Sequence, residues 1–300
     1  MENNDGGESD LQTLRPKPVF LLLLDGWGIA AAGEANAISS ARIPNFFKLA
    51  KEYPAAILEA GAGSVNARYL RLGAGKSFED ENSEVSSDLT KIISDNGLKQ
   101  LKIFDSERLA ALTSFFNGHR EERIIGEEWL AISSKNDKQY FDIFLSLKRI
   151  VRESLKAIKS GNYDFIVAAA PILDSAASSL GAVDIIKAAE ALDKAIRQLA
   201  KEIVDRQGVL LISSTHGNAE RTKDMVTDLV DKDITDNPVP LIIVGPMFKG
   251  KTIGLKDAPD GDLSLLEPAG NLADVAPTIL DLLEIEKNDL MAGVTLIVND

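Results

Sequence analysis

Short apolar runs alternate along the chain with stretches whose apolar positions recur at helical spacing. The runs at residues 19–24, 55–60, 112–116, 165–170, 209–213 and 241–244 predict strands. Several are apolar throughout rather than alternating, which suits strands covered on both faces. After Gly181, the residues Ile185, Ala189, Leu192, Ile196, Leu199 and Ile203 recur at steps of three and four and form one stripe of a helix, while Lys187, Lys194, Arg197 and Lys201 fall off it. Gly208 reads as the stop of that helix. Further helices are predicted over 43–52, 88–95, 144–159 and 271–283. Strand–helix alternation of this kind predicts a mostly parallel sheet flanked by helices. Residues 73–84 and 257–262, rich in Gly, Ser, Pro and charge, read as exposed loops. No internal repeat or strong linker interrupts the pattern. The expected organisation is therefore one domain over 17–300 behind a disordered polar tail, 1–16.

Composition narrows the picture. Of 300 residues, 45% are hydrophobic and 26% charged, enough for a substantial core. The net charge of −13 repels phosphate backbones, so no nucleic-acid partner is expected. It would also repel an anionic substrate unless a local basic patch or a metal offset it. The absence of cysteine excludes disulfides, thiolate nucleophiles and Cys-based zinc sites. Residues 1–16 contain no apolar signal segment, and the run 19–24 is too short to span a bilayer, so a cytoplasmic location without a membrane partner is expected. Only two histidines occur, His119 and His216, which closes any three-imidazole mechanism to a single copy.

Three positions stand where an open parallel sheet presents its ligand crevice, just past the carboxyl ends of strands. Asp25 ends the first run and precedes Gly26-Trp27-Gly28, Asp174 follows the run ending at Ala170, and Thr215-His216-Gly217 follows the run ending at Ser213. Carboxylate and imidazole there suit a divalent metal. On pattern alone, a turn cap for Asp25 and a loop hydrogen bond for His216 are the simpler reading. Gly73-Ala74-Gly75-Lys76-Ser77 has the end of a phosphate-binding loop, but Leu70 stands where the motif needs its first glycine. A flexible turn is the expectation. His119 sits in a polar loop and reads as solvated.

Leu24-Asp25-Gly26-Trp27-Gly28, Asn36-Ala37-Ile38, Leu72-Gly73-Ala74-Gly75, Gly97-Leu98-Lys99-Gln100, Phe115-Phe116-Asn117-Gly118, His216-Gly217-Asn218-Ala219-Glu220, Asn237-Pro238-Val239-Pro240 and Leu272-Ala273-Asp274-Val275 occur in one order along the chain. Together they resemble the cofactor-independent phosphoglycerate mutases. The resemblance implies the alkaline-phosphatase-like α/β fold, a mostly parallel sheet sandwiched by helices. Family members also carry an inserted second domain that grips phosphoglycerate. Only residues 76–96 lie at the point of insertion, so that domain is expected to be absent.

The resemblance also implies two manganese or similar ions beside a serine nucleophile, and here the chain departs from the pattern. Asp25 matches the first metal-binding aspartate. Asp174 matches the aspartate of Asp-x-x-x-His, with Ser178 in place of the histidine. His216 matches the histidine of Asp-His-Gly-Asn, with Thr215 in place of the aspartate. Ile234 falls where a histidine precedes Asn-Pro-Val-Pro. Val65 takes the place of the nucleophilic serine, with Ser64 one residue off. Asn82-Ser83-Glu84-Val85 repeats the nucleophile tetrapeptide on the wrong side of Gly73-Ala74-Gly75. Asp25, Asp174 and His216 are thus the residual metal candidates, for a weak Mn, Mg or Zn site at most, and no other cofactor is expected. Ser64, Ser83 and Thr215 are the nucleophile candidates. The expected function is a scaffold or binding protein without mutase activity, its partner an unidentified protein or small ligand. The alternatives are a metal-dependent phosphohydrolase or phosphotransferase with a rebuilt site, and a mutase-related subunit that needs a partner chain.

Overall fold

A computed structural model describes residues 15–78, 80–133, 140–223, 227, 230–253 and 258–297; residues 1–14 of the expected tail and part of the expected loop at 257–262 lie outside them. The elements in chain order are β1 (Val19–Leu23), α1 (Pro44–Glu52), β2 (Ala55–Glu59), α2 (Val65–Ala74), α3 (Leu89–Asp95), β3 (Gln100–Asp105), α4 (Leu109–Thr113), β4 (Glu127–Ile132), α5 (Tyr140–Ser160), β5 (Phe165–Ala169), α6 (Ile172–Ser179), α7 (Ala182–Asp205), β6 (Val209–Ser213), β7 (Val239–Val244), β8 (Gly270–Asn271) and α8 (Val275–Leu282). The strands form one sheet in the order β4-β3-β5-β1-β6-β7-β2-β8. Its pairings are parallel except where β7 meets β6 and β2.

The continuous apolar run of β1 is explained by what covers it. Phe20 and Leu22 belong to a core with side chains of α1, α5, α6 and α7, while Val19, Leu21 and Leu23 belong to a second core with α2, α3, α4 and α8. Successive side chains of a strand point to opposite faces, so a strand between two helical layers must be apolar at every position. The stripe of α7 is buried as its spacing requires. Its stop differs from expectation: the left-handed residue is Gln207, with φ 57°, one position before Gly208.

The expected strand at 112–116 is instead the end of α4 and a 3-10 turn, Phe115–Asn117. Its apolar residues are spaced to bury Leu112 and Phe116 beneath the sheet rather than to pair. The pattern also hid β3 and β4, because β3 carries buried Gln100 and Lys102 and β4 begins on Glu127-Glu128. The expected loop from residue 73 opens on the last turn of α2, which Gly75 closes at φ 60°. Gly73 is there for packing: a Cβ would lie 2.0 Å from the Phe116 carbonyl oxygen. The segment Gly73-Ala74-Gly75-Lys76-Ser77 therefore leaves a helix C-terminus, whose partial negative charge disfavours phosphate.

Candidate active-site cluster

β3, β5, β1 and β6 are adjacent and parallel, so the segments leaving their carboxyl ends meet at one edge of the sheet. β1 delivers Asp25, β5 leads into α6 with Asp174 in its first turn, and β6 delivers Thr215 and His216. The turn after Asp25 needs glycine twice over. Gly26 has φ 93°, and a Cβ on it would lie 2.6 Å from the Asp174 backbone nitrogen. That close approach lets the Asp174 N–H donate to the Asp25 carbonyl at 3.2 Å.

The structure brings Asp25, Asp174, Thr215 and His216 together, and adds two residues that the sequence did not single out. Arg108, in the 3-10 turn Ser106–Arg108 after β3, donates from Nε to Asp25 Oδ2 at 2.7 Å and from Nη2 to Asp174 Oδ2. Tyr69, on α2, donates to the same Asp25 oxygen at 2.8 Å. Thr215 Oγ1 donates to Asp25 Oδ1 at 2.9 Å and lies 2.7 Å from His216 Nδ1. Because the single threonine proton goes to Asp25, the short contact to the imidazole is a donation from Nδ1 to Thr215. The other ring nitrogen, Nε2, stands 3.4 Å from Asp174 Oδ1 without the alignment of a hydrogen bond, and it is buried without a partner. Asn218 approaches the same Asp174 oxygen with its Nδ2 at 3.4 Å, and its Oδ1 is buried and unpartnered as well.

Burial opposes ionisation of Asp174, but His216 and the Arg108 charge outweigh it and hold that carboxyl well below the usual carboxylate range. Burial likewise works against charge on Arg108, and Asp25, Tyr69 and Asp174 more than offset it, raising the guanidinium above its ordinary value. Burial, reinforced by Asp25, pushes the Tyr69 phenol far up. The cluster thus holds an ionised Asp174, the permanent Arg108 cation and a neutral Tyr69 phenol, with Asp25 and the His216 imidazole among them.

The other nucleophile candidates stand elsewhere. Ser64 caps the N-terminus of α2, accepting from Ala67 N, and its own hydroxyl donates to Glu81. Ser83 lies in an exposed segment with its hydroxyl on the Asp80 carbonyl, and its own carbonyl is 3.0 Å from His119 Nε2. Neither makes a described hydrogen bond to the cluster.

The metalloenzyme superfamily pattern matches residues 17–287. The chain belongs to the metalloenzyme superfamily. Within it, the chain is similar to the 2,3-bisphosphoglycerate-independent phosphoglycerate mutase of Chloroflexus aurantiacus, 37% identical over 217 residues, covering 71% of this chain and 38% of the relative. It is 35% identical over 199 residues to the Escherichia coli K12 enzyme of the same name, covering 66% and 36%. The chain therefore spans well under half the length of these relatives. Among solved structures, a Leishmania mexicana phosphoglycerate mutase superposes with a TM-score of 0.62 at 20% identity over 72% of this chain and 40% of that one. The alkaline phosphatase of the Antarctic bacterium TAB5 superposes with a TM-score of 0.56 at 12% identity, covering 91% and 99%. These superpositions show the alkaline-phosphatase-like fold expected from the sequence.

A superfamily named for its metals raises the question whether these residues fit them. A two-ion set does not fit here. Arg108 already bridges the two carboxylates that would hold cations, and among the described residues no group of three or more His, Asp or Glu is placed to hold one. Ser178, Thr215 and Ile234 supply no charge at the positions where the resemblance calls for ligands.

Proposed function

We propose that this chain is a member of the superfamily that does not act as a phosphoglycerate mutase, that an internal guanidinium stands where its relatives' resemblance calls for metal ions, and that it works by binding in the cytoplasm. One observation carries the reading: Arg108 reaches both Asp25 and Asp174. A cation fixed by the chain satisfies the carboxylates that would otherwise demand a metal, and being permanent it cannot exchange. The Thr215 hydroxyl donates to an Asp25 carboxyl that Arg108 and Tyr69 already hold, which makes Asp25 a poor general base for it and leaves the hydroxyl a weak nucleophile. The test is metal analysis of protein purified in manganese, together with a mutase assay on 3-phosphoglycerate. Retention of two manganese ions per chain, or manganese-dependent turnover, refutes the reading.

A second reading, a hydrolase or phosphotransferase with a rebuilt site, is favoured by the unpartnered His216 Nε2 and Asn218 Oδ1. Buried polar atoms without partners imply room for a water, an ion or a ligand group. Of the nucleophile candidates only Thr215 belongs to this cluster. A panel of phosphate and sulfate esters, with Asp25→Ala as control, separates the readings: turnover that disappears in the variant supports the second.

A further inference from the structure

The long helices α5 and α7 lie side by side and leave a groove of about 690 Å³ between them, away from the carboxylate cluster. Its floor on α5 is Phe144, Leu147, Val151 and Leu155, at steps of three and four, and on α7 the small residues Ala191 and Ala195, which keep the trough open. Its rim is basic. Lys148, Arg152, Lys156 and Lys159 stand along α5, and Lys187 and Lys194 along α7; Glu190, which accepts from the Arg42 backbone N–H, lines the groove, while Glu153, Glu202 and Asp184 pair with rim cations from outside it. Six cations gather here in a chain whose net charge is −13.

We propose that this groove docks an acidic amphipathic helix of a protein partner. Three features select that occupant. The trough between two helices accepts a cylinder with one apolar stripe, the geometry by which helices enter grooves, and a flat bilayer surface does not reach its floor. Lys148, Arg152 and Lys156 recur every four residues, about 6 Å apart along the axis, and the rim from Lys148 to Lys159 runs roughly 17 Å. A helix with Glu or Asp at the same spacing meets each of them, whereas the headgroup of a single fatty acid meets one or two. A nucleic-acid backbone would match the rim and leave the aliphatic floor unfilled. Arg152 and Lys156 share Glu153, Lys159 reaches Glu202 and Lys187 reaches Asp184; the acids are partly covered but the cations are exposed, so a stronger anion can compete for them. Lys148 and Lys194 make no ion pair among the described residues.

The proposal gives the binding role above a class of partner, and it involves neither Arg108 nor its carboxylates, so either can fail while the other stands. The probe is a fluorescein-labelled peptide of about 18 residues with leucines at three- and four-residue steps flanked by glutamates, titrated with the full chain and followed by anisotropy. Saturable binding is expected, weakening as salt rises, because rim charges act through screened attraction. The triple variant Lys148→Glu, Lys156→Glu, Lys194→Glu should lose affinity about tenfold or more. A control triple, Lys76→Glu, Lys249→Glu, Lys251→Glu, should bind as the parent does, with circular dichroism confirming that both fold. The proposal is overturned by no binding below about 100 µM, by equal binding of a peptide with the same composition in permuted order, or by an undiminished groove variant. Binding of phosphatidylglycerol vesicles in place of the peptide, or a dimer that the groove variant abolishes, also overturns it.

Discussion

Lys102 in β3 and Arg108 in the turn that follows are both cations buried against carboxylate, yet their surroundings differ in kind. Lys102 pairs one-to-one with Glu127 at 3.0 Å, and its ammonium also reaches Thr90, Asn117 and the Leu112 carbonyl, with the Phe116 ring 4.9 Å away. Glu127 in turn accepts from Asn117 and Trp129. Arg108 faces two carboxylates, and around it His216 Nε2 and Asn218 Oδ1 go unpartnered. The first cluster fastens the edge strand β4 to β3. The second sits where the parallel strands open their crevice, and there one guanidinium is shared between two carboxyl groups. A cation with one carboxylate partner inside the sheet is a feature of packing, whereas a cation shared between two carboxyl groups beside unpartnered atoms at a strand-end crevice marks a candidate site.

The comparison breaks most visibly at Arg108. Arg108→Ala leaves two carboxylates facing each other with no cation, and a loss of about 4–5 kcal/mol is expected in urea unfolding. Manganese should restore part of that loss in the variant and leave the parent unchanged. Arg108→Lys, which keeps the charge but cannot bridge both carboxylates with a planar fork, should fall between. If Arg108→Ala costs less than about 1 kcal/mol, the guanidinium is a surface accessory and not the cation of the site.

At the packing cluster, Lys102→Met should cost about 3 kcal/mol by stranding Glu127, and the double variant with Glu127→Met should recover most of it. Burial, only partly opposed by Glu127, pushes the Lys102 ammonium down to about 8. Since the unfolded chain holds that proton to about 10.4, this group by itself adds stability as pH climbs from about 8 to 10.4. A lysine NMR titration that finds Lys102 at its ordinary value would contradict the burial argument.

The legible and illegible parts of the chain divide along the same line. β1, β5 and β6 were readable because burial on both faces demands unbroken apolar runs. β3 was not, because its Lys102 pairs with Glu127 and Thr90 and its Gln100 amide donates to the Thr90 carbonyl, partners supplied by other elements. Asp25, Asp174 and His216 could be picked out because strand ends converge in a parallel sheet. Arg108 could not, because no local pattern marks it and its partners are 83 and 66 positions away. α2 is hidden because Gly73 and Gly75 read as loop residues, whereas Gly73 serves close packing inside the helix and Gly75 ends it, with Ser64 as the cap at its start. What a residue touches across the sheet is a tertiary fact that local pattern does not carry.

Smaller effects sharpen the carboxylate side. Asp174 is held below its unfolded value, so its contribution is present above about pH 4 and is lost as pH falls below that. The gap in melting temperature between the parent and Asp174→Asn should be widest near neutrality and close progressively under acid, and a gap that stays constant from pH 7 to pH 2 would remove Asp174 from the charge cluster. The smallest change is Thr215→Val, which keeps the shape and deletes the hydroxyl that donates to Asp25 and accepts from His216 Nδ1. Asp25 retains Arg108 and Tyr69 as donors, so about 1–2 kcal/mol is expected, the cost of leaving the imidazole N–H buried and unpaired. If Thr215 were instead the nucleophile of a rebuilt site, the same variant would lose all ester turnover while Thr215→Ser kept it. Stability lost without any turnover to lose places Thr215 among the residues that hold the cluster together, as the one-to-one pairing of Lys102 holds β4.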